Sequence, residues 1–142
     1  MTDEEFIRAL EACTLAQAEF GHAGHVRAAY LYLQSGDFVA ALERMRRAIR
    51  NYAGSLGKPE RYHETVTVAY VALIQQYLCE RGSGGGWTGF ARLTPELFQP
   101  DLLLQYYSQS ELESDLARKV FVLPRRGIPL GRCRRLEPQS AE

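Results

Sequence analysis

Cysteine is scarce and scattered in this 142-residue chain. Cys13, Cys79 and Cys133 are odd in number, widely spaced and form no CxxC pair, which excludes a disulfide framework and a zinc ribbon. A reduced, cytoplasmic setting is the expectation. Long apolar runs are missing too: none approaches the roughly 20 residues that span a bilayer. The opening MTDEEFIRALEAC is acidic and amphipathic, without the basic-then-apolar order of a leader, so no membrane partner is expected. Net charge is absent, with 17 basic residues against 17 acidic ones, and no global field favours nucleic acid. GSGGGW lacks the lysine and following helix of a phosphate loop, and no serine sits in a nucleophile elbow. Nucleotide hydrolysis and serine hydrolase chemistry are thereby set aside.

What is present is helical patterning. Thr2 with Glu5 reads as a capping box opening a helix over about residues 3 to 13, with Phe6, Ile7 and Leu10 inward. A second helix begins near Leu15, or only near His22 after Gly21, and runs to Gln34, where SGD stops it. Asp37 caps a third, FVAALERMRRAIRNYA, which has Phe38, Ala41, Leu42, Met45, Ala48, Ile49 and Tyr52 at helical spacing. Pro59 suits the first position of a central helix over residues 60 to 80, apolar almost all round in VTVAYVALI and ended by Gly82. GSGGGWTGF reads as a loop pinned by Trp87 and Phe90, and Thr94 with Pro95 opens a short helix that Pro100 ends. One or two further helices follow, the last capped by Ser110 with Glu113, before VFVLP. The expected fold is all-α: one compact bundle of about five to six helices over residues 1–124, with a flexible basic tail over 125–142.

The three histidines all fall in two short stretches, GHAGHVRAAY and RYHETVT. Residues three and four apart share a helix face, so His22 and His25 project together, in line with Val26, Ala29 and Leu33. Two imidazoles facing a core need partners, since a buried polar ring without a hydrogen bond costs on the order of 1 to 3 kcal/mol. A shared metal ion would satisfy both. Placed on the central helix above Thr67, Tyr70 and Ile74, His63 completes a three-imidazole set drawn from two helices. Glu64, turned by about 100° from it, is the candidate base or fourth ligand, and Glu19, three residues before His22, is a reserve ligand. The implied cofactor is one divalent transition metal ion, zinc by default, with Fe, Ni, Mn or Cu open. Arg27, Arg61, Tyr70 and Tyr106 are candidates to line the pocket of a small-molecule substrate.

The residues at 28–49 have the small-residue, tyrosine and Gly-Asp pattern of a tetratricopeptide hairpin, but one unit makes no array. FGHAGHVRAAYLYL, RYHETVTVAYVALI, LLLQYYS and ARKVFVLP together resemble a group of small uncharacterised bacterial proteins. Their segments read F-x-H-x-x-H-V-R, Y-H-E-T, Y-S and F-V-L-P. The resemblance spans most of residues 20–124, implies an intact domain and names no reaction. More loosely, the chain is similar to three-histidine helical bundles of the DinB and YfiT type, whose HxxxH pair differs from this HxxH; that similarity implies a helical metalloprotein. The expected function is a metal-dependent enzyme of hydrolase, lyase or isomerase type. A non-haem iron oxygenase is the variant within enzymes, and a non-catalytic helical interaction module is the rival outside them.

Overall fold

A computed structural model describes residues 1–124; the expected basic tail lies outside the described residues. Seven α-helices and four single 3-10 turns make up the described chain, which contains no strand, so the all-α expectation holds. Helix α1, Asp3–Glu11, opens on the expected capping box: Thr2 Oγ1 accepts from the Glu5 amide, and the Glu5 carboxylate accepts from the Thr2 amide. A 3-10 turn at Gln17–Glu19 leads to α2, His22–Gln34, and Asp37 caps α3, Phe38–Ser55. Helix α2 therefore starts at His22 after Gly21 and not near Leu15. Gly24 shows why the turn can sit so close: a Cβ there would collide with the Glu19 carbonyl.

Helix α4, Glu64–Arg81, is the centre of the bundle, with Thr65, Thr67, Val71, Leu73 and Ile74 buried. Helices α2 and α3 cover one flank and α7 another. Pro59 does not open this helix. It starts a separate 3-10 turn, Pro59–Arg61, after which the chain breaks at Tyr62 and His63, both extended. The glycine loop is shorter than expected, because Trp87–Leu93 forms α5. Tyr30 and Phe90 stack at 4.8 Å, holding α5 against α2. Two 3-10 turns, Pro95–Phe98 and Leu102–Gln105, precede α6, Gln109–Glu113, and α7, Asp115–Lys119. Ser108 with Glu111 forms the capping box of α6, in place of the expected Ser110 with Glu113, and Ser114 caps α7. The α-helix count rises above six because Trp87–Leu93 is helical and Ser114 splits the last segment in two.

Buried hydroxyls tie loops to this body. Tyr30 donates to the Ser83 carbonyl, Tyr52 to the Leu15 carbonyl and Tyr107 to the Val122 carbonyl. Fully buried Thr65 donates to the Val120 carbonyl at 2.8 Å and accepts from the Val122 amide at 3.1 Å, fastening VFVLP along α4. Thr65→Val keeps the shape and removes both bonds, orphaning one carbonyl and one amide. Urea unfolding should show a loss of about 1–3 kcal/mol, and hydrogen exchange at the Val122 amide should accelerate more than the loss of global stability alone explains.

Candidate functional site

His22 and His25 both border one cavity, each oriented by a backbone carbonyl, but His22 is exposed and His25 half-buried, so the expectation that both face the core holds for neither in full. His22 opens α2; its Nε2 lies 2.7 Å from the Leu97 carbonyl, and its ring meets Tyr70 edge-on at 5.1 Å. His25 Nδ1 lies 2.8 Å from the Gly21 carbonyl, and its ring stacks on Phe20 at 4.0 Å. Because a carbonyl only accepts, each of those nitrogens carries the hydrogen. Neutral His22 therefore leaves Nδ1, and neutral His25 leaves Nε2, as an acceptor without a partner among the described residues.

The cavity these rings border has a volume of about 290 Å³ between α2, α3 and α4. Val26, Met45, Ile49 and Ile74 supply most of its apolar wall, beside Tyr70 and Thr67, whose hydroxyl donates to the His63 carbonyl at 2.8 Å. Burial pushes the His25 imidazole below its ordinary value of 6.5, and neighbouring His22 pushes the same way, against the Gly21 carbonyl. Burial likewise pushes the Tyr70 hydroxyl up. The site at neutral pH thus offers an uncharged imidazole acceptor and an uncharged phenol donor in apolar surroundings.

His63 does not join them. It is the N-cap of α4, with φ −134° and ψ 109°. Its Nδ1 accepts from the Val66 amide at 3.2 Å, and its Nε2 donates to the Leu112 carbonyl at 2.6 Å. Both ring nitrogens are committed to holding the helix start and α6 together. The expectation placed His63 inside the helix and turned it inward; the break after Pro59–Arg61 removes it from that face, although Thr67, Tyr70 and Ile74, assigned to the same face, do line the cavity. Among the described residues, no group of three or more His, Cys, Asp or Glu is gathered so as to hold a metal ion. The convergence of three imidazoles is corrected accordingly.

Glu64 is also engaged elsewhere. Arg46 Nε lies 3.0 Å and Arg50 3.9 Å from its carboxylate, and the Tyr62 hydroxyl donates to the same oxygen. Burial alone would raise the Glu64 carboxyl, but the Tyr62 and Arg46 hydrogen bonds and the charges of Arg46 and Arg50 outweigh it and hold the group below its usual range. A carboxylate so held is a poor proton acceptor and does not line the cavity, so its assignment as base is not supported by its surroundings. Arg27 binds Asp3 at 2.7 Å and lies over the Phe6 ring, joining α2 to α1. Tyr106 lines a different recess, beside Phe121 and Pro124. Glu19 is exposed, and the reserve-ligand assignment finds no partner set around it. Of the four pocket candidates, Tyr70 borders the histidine cavity and Arg61 a second recess that adjoins it at His25 and Ile49.

Comparison with known proteins finds no family model, no curated protein and no solved structure that matches this chain. No helix among the described residues is long and apolar enough to cross a membrane.

Two outcomes follow from the histidine geometry. His63→Ala should cost about 1–3 kcal/mol through the lost cap and the orphaned Leu112 carbonyl, and His63→Asn, which restores a capping oxygen, should recover about half of that in chemical unfolding. His25 binds its proton less readily folded than unfolded. Its contribution to stability is therefore complete above the unfolded value of 6.5 and is lost as pH falls below it, where only the unfolded chain readily gains the charge. A pH series of unfolding midpoints should show this slope, and His25→Phe should flatten it.

Proposed function

We propose that this protein binds a small, mainly apolar molecule in the cavity between α2, α3 and α4, and that His25 accepts a proton from it. The observation that supports this most directly is the Nε2 of the half-buried His25 imidazole, without a hydrogen-bond partner among the described residues, beside an apolar space of about 290 Å³. Cavities of roughly 150 Å³ already admit a molecule the size of benzene, so a monocyclic or short-chain ligand fits here. A neutral histidine is suited to general-base chemistry near pH 7, and the Tyr70 phenol, which borders the same cavity, would donate to the oxygen or nitrogen on which charge develops. Isomerisation and elimination are the reaction types that need only these two groups. The helical interaction module draws on the α2–α3 hairpin alone, and that hairpin's inner face is filled by α4.

A second reading keeps a metal ion but reduces its protein ligands to two. His22 and His25 each donate one ring N–H to a backbone carbonyl, the arrangement that orients metal-ligating imidazoles in general, and the bound molecule or water would complete the coordination. Titration with Co²⁺ separates the readings: uptake abolished by His22→Ala and by His25→Ala, but not by His63→Asn, supports the metal site, and absence of uptake in the unmodified protein removes it.

Phenol and toluene are the probes for the first reading. Phenol should shift the His25 ring resonances, which are assignable because the chain has only three histidines, and should bind at least about tenfold more weakly to His25→Phe. Toluene, having no donor, should bind the two proteins to within about threefold. The reading fails if neither molecule perturbs His25 or Tyr70, or if His25→Phe leaves phenol affinity unchanged.

A further inference from the structure

The polar and apolar parts of the histidine cavity differ in burial. His22 is exposed, and His25 and Tyr70 are half-buried, whereas Val26, Ala29, Met45 and Ile74 are buried. The ring-bearing polar residues therefore stand toward the mouth and the apolar ones form the floor. Thr67, also buried, already donates its hydroxyl hydrogen to the His63 carbonyl. At the mouth the hydrogen-bonding capacity left over is mainly that of acceptors. The Leu97 and Gly21 carbonyls take one ring N–H from each imidazole, leaving Nδ1 of neutral His22 and Nε2 of neutral His25 without partners among the described residues. The Tyr70 hydroxyl has no hydrogen-bond partner there either. Residues three apart on a helix have Cβ atoms about 5–6 Å apart, so adjacent groups of one small molecule can meet both rings. Charge is missing from this lining: among the described residues, no Asp, Glu, Lys or Arg borders the cavity. A charged ligand group would enter it without a counter-charge, at a cost that an uncharged group avoids.

From this complement we infer that the occupant is an uncharged catechol-type molecule, its ring against the apolar floor and its two adjacent hydroxyls at the mouth, one donating to His25 Nε2 and the other to His22 Nδ1. The inference rests on the reading of the histidine cavity as a small-molecule site and adds the chemical class of its occupant. Two acceptors call for two donors, and a single hydroxyl satisfies only one of them. An oxygen that has given its hydrogen keeps its lone pairs, so the Tyr70 hydroxyl can donate to the same head group. A ring is favoured over an open-chain diol because it holds both hydroxyls in one plane at a fixed separation, and less rotational freedom is lost on binding.

Catechol and phenol test this, because they share the ring and differ by one hydroxyl. Binding to the full chain is followed without oxygen and in the presence of EDTA, so that no metal ion carries the interaction, by calorimetric titration and by the His22 and His25 ring resonances. Catechol should bind at least about threefold more tightly than phenol, as expected for one added hydrogen bond, and should shift both histidines. His22→Phe should remove that preference while leaving phenol binding unchanged, and His22→Gln, which keeps an acceptor, should retain part of it. Benzoate and benzylammonium should each bind more weakly than phenol. A smaller preference for catechol, or one that survives His22→Phe, overturns the two-hydroxyl assignment, and tighter binding of either ion overturns the uncharged one; both results leave the cavity reading standing. Failure of phenol and catechol alike to perturb His25 overturns the cavity reading as well.

Discussion

Everything in this bundle is arranged around the burial of α4. Its VTVAYVALI stretch is apolar around nearly its whole circumference and favours enclosure there, while Gln76, Cys79, Glu80 and Arg81 towards its end stay exposed. Burying a side chain such as Val71 or Ile74 contributes about 1.5–3 kcal/mol, and both are essentially inaccessible. Two long helices cannot surround a third. The remaining flank is therefore closed by short pieces, α7 and the extended residues after it, which have little helical stability of their own.

Those short pieces stay in place through polar anchors rather than packing alone. Leu116, Val120, Phe121 and Leu123 remain largely exposed, so the terminal segment gains little from burial. Its attachment comes from Thr65 and Tyr107, whose hydroxyls meet the backbone at residues 120 and 122, and from His63, which joins the start of α4 to the end of α6. Each anchor does two tasks: it satisfies a group that burial would otherwise orphan, and it sets where a loop crosses the bundle.

The same enclosure produces the cavity. Helices α2, α3 and α4 leave a space whose lining includes the small residue Ala29 with Val71 and Ile74, and the two histidines of α2 border it. His25 is kept neutral by that burial, whereas Glu64 is kept charged by two arginines and a tyrosine. Two stretches of sequence that look equally suited to acid–base work thus meet opposite surroundings, one keeping an imidazole uncharged and the other keeping a carboxylate charged.

Much of this was legible in the amino-acid sequence because it depends on local rules. The capping box at Thr2 and Glu5, the Asp37 cap, the stop at Gln34 and the apolar circumference of α4 follow from side chains acting on backbone within a few residues. The shared face of His22 and His25, and that of Thr67, Tyr70 and Ile74, follow from helical spacing alone. The position of His63 did not, since it turns on whether the chain continues as one helix from Pro59 or breaks and restarts. The restart is favoured by contacts that only the folded chain supplies: the Leu112 carbonyl received by the His63 ring, and the Glu64 carboxylate received by arginines 18 and 14 residues earlier in α3. Likewise, periodicity predicts that an imidazole points inward but not what it meets there. Phe20 against His25 and Leu97 against His22 are set by the packing of other segments, and they decide which of the candidate residues share a site.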